Sequence, residues 1–157
     1  MPEQDAKDEV AASNLVEAEN FLTWRIRILS AFAGSIVLTL LVIARMLTPS
    51  SSGIGTHQQL GLPPCSSIML LQMPCPACGM TTSWAYILRG QIIASFETNS
   101  GGAMLAIIGL VYVPASCYFF FIGKGTRREW FSLYLAIALV AAIGCATLQW
   151  IFRMMSG

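Results

Sequence analysis

GGAMLAIIGLVYVPASCYFFFI, residues 101–122, runs for 22 residues without a charge. A bilayer's hydrocarbon core is ~30 Å thick and takes about 20 helical residues at 1.5 Å rise each, so this stretch is long enough to cross one. A backbone surrounded by lipid has no water to bond, and an isolated apolar segment satisfies its own N–H and C=O groups only as a helix. Two blocks of the same kind flank it. Residues 28–47, ILSAFAGSIVLTLLVIARML, hold one ionisable group, Arg45, within a turn of the far end, and residues 130–152 hold none. A helix buried in a soluble bundle carries a polar stripe at 3.6-residue spacing; these three carry none. The reading is an all-α integral membrane protein with three transmembrane helices, the second of which contains Pro114.

Composition agrees. The chain of 157 residues is 55% apolar and only 11% charged, against ~25% charged in an average soluble domain. Nine Lys and Arg against eight Asp and Glu leave a net charge of +1, which gives nucleic acid no electrostatic foothold. No Asp, Glu, Lys or His lies near the middle of a span, so the groups that build proton relays and ion pathways are missing. Small residues at Gly102/Ala106 and Ala138/Ala142 allow close helix contact. Residues 1–27 form a polar tail, in which Ala11, Leu15, Ala18 and Leu22 recur at helical spacing; a solvated, partly disordered segment is the preferred reading. The first span reads as a retained anchor, because a long polar stretch precedes it and Arg45-Met-Leu-Thr-Pro-Ser is a poor cleavage site.

Orientation follows the distribution of Lys and Arg. Three spans place the 1–27 tail and the 123–129 loop together, with Lys7, Arg25, Arg27, Lys124, Arg127 and Arg128; the opposite side has Arg45, Arg89 and Arg153. The N-terminus is therefore expected in the cytoplasm, with residues 48–100 and the short 153–157 tail outside. Trp24, Trp130 and Trp150 fall at helix ends, where an amphipathic ring prefers the interface.

The chemistry lies between the first two spans. After the turn-rich Thr48-Pro-Ser-Ser-Ser-Gly-Ile-Gly come His57, Cys65 and a short apolar run, Ile68 to Met73, suited to the membrane interface. Pro74-Cys75-Pro76-Ala77-Cys78-Gly79 follows. Pro76 restrains Cys75 to extended geometry, and Gly79 supplies the positive φ needed to turn after the second sulfur. The two sulfurs thus point into one small space, as in half a zinc knuckle. His57, Cys65, Cys75 and Cys78 form a candidate Cys3His metal set, and zinc is the candidate cofactor. A disulfide is the other form of staple, since thiols facing an oxidising compartment pair. The rival is thiol–disulfide exchange by Cys75 and Cys78. Cys117 and Cys145 lie inside spans and read as small apolar residues. From Thr82 to about Thr98 the pattern becomes an amphipathic helix capped by Thr81 or Thr82, with Ala85, Leu88, Ile92 and Phe96 on one face and Trp84 as anchor. Arg89 and Asn99 have no partner that sequence identifies.

Cys65, the Pro74–Thr81 motif, Leu88-Arg89-Gly90 and Asn99 resemble small bacterial membrane proteins grouped as a domain of unknown function and marked by Cys-Pro-x-Cys-Gly-x-Thr. The matching positions are Cys65, Cys75, Pro76, Cys78, Gly79, Thr81, Gly90 and Asn99. Thr82-Ser83 stands where many members have Arg-Ala, and Ser100 replaces a Pro after Asn99. The resemblance implies a bacterial cytoplasmic (inner) membrane and lends no activity. A non-catalytic membrane component is expected, whose cysteine motif staples an external binding or assembly surface. Its partners are the lipid bilayer and a membrane protein or second copy of the chain.

Overall fold

The computed structural model describes residues 2–122 and 127–156, with side chains over 23–121 and 130–155. Among them there are six α-helices and no strand: α1 (Pro2–Met46), α2 (Ser66–Leu71), α3 (Met80–Ile87), α4 (Ile92–Thr98), α5 (Ser100–Ile122) and α6 (Arg127–Ser156), with a 3-10 turn at Thr56–Leu60. Three stretches are long and apolar enough to cross a bilayer: Thr23–Met46, Ser100–Phe121 and Trp130–Met155. The chain is an all-helical, multi-pass membrane protein of the expected class.

The helix of the first span continues back to Pro2, so the polar N-terminal stretch is helical rather than the coil expected. Its Ala, Glu, Leu and Lys residues are strong helix formers, and joining a helix already nucleated by the span removes the initiation cost. Residues 123–126 of the second loop lie outside the described residues.

Helix α5 packs against both α1 and α6. The small residues at these crossings set the approach. A Cβ on Gly101 would lie 2.5 Å from Ala146 Cβ and 2.6 Å from Ala142 O, and one on Gly34 would collide with Ser116 Oγ. Ala103, Ala106 and Ala142 are sealed. Of the small pairs noted in sequence, Ala106 and Ala142 are in the packed seams, whereas Gly102 faces Met80 and Asn99. The spans are held in register at both ends. Arg27 donates to Phe120 O and lies over the Phe120 ring. At the other end Ser100 N–H donates to Gln149 Oε1 at 2.7 Å, and Arg153 Nη2 to Thr98 O at 2.7 Å.

Arg89 provides a third tie. Its Nη2 donates to Arg45 O at 3.0 Å and Leu47 O at 2.7 Å, and its Nη1 to Ala85 O at 2.9 Å. It thus satisfies carbonyls that the end of α1 leaves without helical partners and places a cation at the negative end of the helix dipole. Arg89→Ala is expected to lower stability by about 1–2 kcal/mol, given the value of hydrogen bonds to a charged donor at a half-exposed site. Arg89→Lys should recover less than half, since one ammonium lacks the guanidinium fork. Thermal unfolding of detergent-solubilised variants checks both.

The single helix expected over 82–98 is two helices. Gly90 adopts φ 77°, and Gly90 N–H and Gln91 N–H donate back to Ile87 O and Tyr86 O. This left-handed glycine stop ends α3 and folds α4 back against it. The apolar spacing runs through the break, but the residues the two helices bury are Thr82, Ser83, Ala85 and Ser95, while Ile92 and Phe96 of the expected face stay exposed.

Candidate metal centre

Gly79 starts the site. It has φ 85° and precedes α3, and a Cβ there would lie 2.7 Å from Gly53 O, so conformation and space both demand glycine. Cys78 N–H donates to Cys75 O at 3.0 Å and Met80 N–H to Ala77 O at 3.1 Å, making two successive tight turns. Neither Thr81 nor Thr82 caps α3 by its side chain. The Thr82 hydroxyl is instead buried against Thr56 Oγ1 at 2.7 Å.

The turns place Cys75 Sγ 3.2 Å from Cys78 Sγ, while Cys65, at the start of α2, brings its Sγ to 3.5 Å from Cys75 Sγ. All three sulfurs lie within 4.8 Å of one another, and all three cysteines are unpaired by disulfides. Thiolates bound at about 2.3 Å around a tetrahedral ion stand ~3.8 Å apart, so the three sulfurs are spaced as a group that could hold a metal. Cys75 N–H donates to Cys78 Sγ at 3.2 Å, an outer hydrogen bond that stabilises sulfur charge. Three sulfur donors suit zinc or a softer ion and do not suit magnesium or calcium.

His57 lines the same cavity of about 230 Å³ as the three cysteines but is not in the sulfur group. Its Nε2 sits 3.3 Å from Pro63 O. The structure therefore brings together three of the four candidate ligands, with the histidine at the cavity wall. Cys117 and Cys145 lie elsewhere, in α5 and α6.

Asn99 holds the motif. Its Nδ2 donates to Pro76 O and Cys78 O, each at 3.0 Å, and its Oδ1 accepts from Gly102 N–H at 2.7 Å. Three of the four hydrogen bonds its amide can make, both donors included, are thereby formed in a residue only 3% exposed. Behind it Ser83 Oγ and Ser95 Oγ meet at 2.7 Å, and each reaches the other's backbone carbonyl. Thr82 and Ser83 are thus core hydroxyls joining α3 to the Thr56 turn and to α4. Sequence reasoning missed Thr56, Ser83, Ser95 and the role of Asn99. For Thr56 and Ser83 the available signal was a set of small polar residues in a segment with no charge from Met46 to Leu88; Ser95 and Asn99 lie beyond it and carried no such signal.

The sulfurs are electrostatically unequal. The Ser67 amide, followed by contacts with Cys78 and Cys75 and the Ile68 amide, lowers Cys65 from 9.0 to about 7. Burial pushes Cys78 up to about 12. In reduced, metal-free protein, alkylation of Cys65 should accelerate from pH 6 and level off above about pH 8, as its thiolate fraction saturates. Cys78 should stay unmodified through pH 9. Peptide mass spectrometry of iodoacetamide-treated protein reads both rates.

Fold and site together define a three-span membrane protein with a triad of thiols where the chain between the first two spans packs on their ends. Residues 65–113, about a third of the chain, match the model of the family described as Protein of unknown function (DUF2752), which bears out the resemblance to a domain-of-unknown-function family. The matched region opens at Cys65 and takes in α2, α3, α4 and the first half of α5. No curated protein and no solved structure matches the chain.

Proposed function

We propose that this protein is a non-catalytic component of the bacterial cytoplasmic membrane, in which a zinc ion held by Cys65, Cys75 and Cys78 staples the segment between spans one and two into a binding or assembly surface. The observation that carries the reading is the convergence of three sulfurs within 4.8 Å from two separate loops. A metal there ties α2 to the turn before α3. His57, on the wall of the same cavity, is the available protein donor for a fourth position. The excess of Lys and Arg on the N-terminal side supports a cytoplasmic N-terminus, with the sulfur site on the opposite face. The surface so formed serves a membrane protein or a second copy of this chain, because three spans bury little of their own area: every one of them is largely exposed in the isolated chain.

Metal analysis of protein purified with its thiols kept reduced tests the proposal. Close to one equivalent of zinc supports it. A metal-free protein whose Cys75–Cys78 bond opens and closes near the potential of its compartment would replace the staple with thiol–disulfide exchange.

A further inference from the structure

We infer that α2 is a lipid-immersed finger: Met69, Leu70 and Leu71 are covered by the acyl chains of the bilayer, at its interface on the sulfur side. These side chains are 64%, 82% and 63% exposed in the isolated chain. They belong to a short helix that packs against none of the other described helices, closed at its base by Ser67 Oγ donating to Met73 O at 3.0 Å and by the Cys65–Cys75 contact.

Two observations choose lipid as the occupant. The first is charge. From Met46 to Leu88 there is no Asp, Glu, Lys or Arg over 43 residues, where a water-facing surface of that length would carry about ten. Part of that stretch is buried in the protein, at Thr56, Thr82, Ser83 and Ala85; the exposed run 69–73 is not, and a surface in contact with acyl chains excludes ionised groups because each loses hydration there. The second is height. Trp150 Nε1–H donates to Pro74 O, at the foot of the finger. Gln149, its neighbour in α6, takes Ser100 N–H, the start of the second span. Pro74 therefore stands level with the residues at which α5 enters the membrane, and an indole donor prefers that depth. The finger is joined at Pro74 to α6 by the Trp150 bond, so it already stands at the membrane surface and immersion requires no separate docking event.

The inference depends on membrane insertion and not on the metal, and its test separates the two. The photoreactive p-benzoylphenylalanine is placed at Leu70, and separately at Met69, in the full chain reconstituted in phosphatidylethanolamine–phosphatidylglycerol vesicles. Both positions are exposed, so neither replacement disturbs packing. A third site, Ile143, 62% exposed on the third span, gives the yield of a lipid-facing position. Lipid adducts at Leu70 and Met69 within about twofold of Ile143 are expected. Crosslinks to a second copy of the chain, or yields no higher than an unirradiated sample while Ile143 reacts, would overturn the inference. Either result leaves the zinc content, measured on the same preparation, free to stand or fall by itself.

Discussion

Cys75→Ser is expected to reduce the zinc content of the purified protein from about one equivalent to near zero, while Cys117→Ala and Cys145→Ala leave it unchanged. Cys75 is the central sulfur, 3.5 Å from Cys65 and 3.2 Å from Cys78. Its loss leaves two sulfurs, with the shared contact to each of them removed. Both must lose protons to bind a metal, and two sulfurs alone are too few to hold a structural ion against competition from water. Stability should follow. An ion that binds only the folded state stabilises it by about 2.7 kcal/mol when free at a hundred times its dissociation constant. For a chain of this length that corresponds to a rise of about 5–10 °C in Tm. The parent protein should show this rise on adding zinc and Cys75→Ser should not, with calorimetry in detergent as the readout. A redox enzyme would respond differently, losing turnover without losing a zinc-dependent Tm.

The second large effect is at Asn99. Asn99→Ala removes two donors and an acceptor from a sealed position and leaves Pro76 O, Cys78 O and Gly102 N–H unpaired. At 1–3 kcal/mol for each buried group without a partner, partly relaxed, the expected cost is about 3–5 kcal/mol. Asn99→Asp, nearly the same shape, should be worse. It turns a carboxyl oxygen toward the two carbonyls that the amide N–H2 group now serves, and burial opposes its charge. Because those carbonyls belong to the Cys-Pro-x-Cys turn, zinc affinity should also fall, by about 10–100-fold, the usual effect of removing an outer-shell support. Denaturant unfolding combined with competition against a chromophoric chelator separates the two losses. An Asn99→Asp variant as stable as the parent would show that the turn stands without its clamp.

These two residues also mark how much sequence alone could reveal. The spans were legible because crossing a bilayer is a one-dimensional condition: some twenty residues without charge suffice, and three blocks met it. Cys75, Pro76, Cys78 and Gly79 were legible because a tight turn carrying two sulfurs is a local arrangement. Cys65 could be nominated only by residue type, since the ten-residue connection through α2 decides where its sulfur points. Asn99 matched the family pattern yet showed no partner, because its partners are backbone carbonyls 21 and 23 residues away. Backbone acceptors leave no mark in composition or spacing. Gly90 was visible, but the apolar periodicity on either side agreed with one helix, and only the buried Ser83–Ser95 contact requires the chain to turn back. Arg89 is similar: its role depends on where α1 ends in space, not on any neighbour in sequence.

Zinc-edge X-ray absorption of the detergent-solubilised, reduced protein tests the central claim most directly, because it reads the sulfurs around the ion. Three Zn–S scatterers at about 2.3 Å with one nitrogen or oxygen neighbour are the predicted shell. A shell of nitrogen and oxygen alone, or stoichiometric protein with no zinc to absorb, would contradict it.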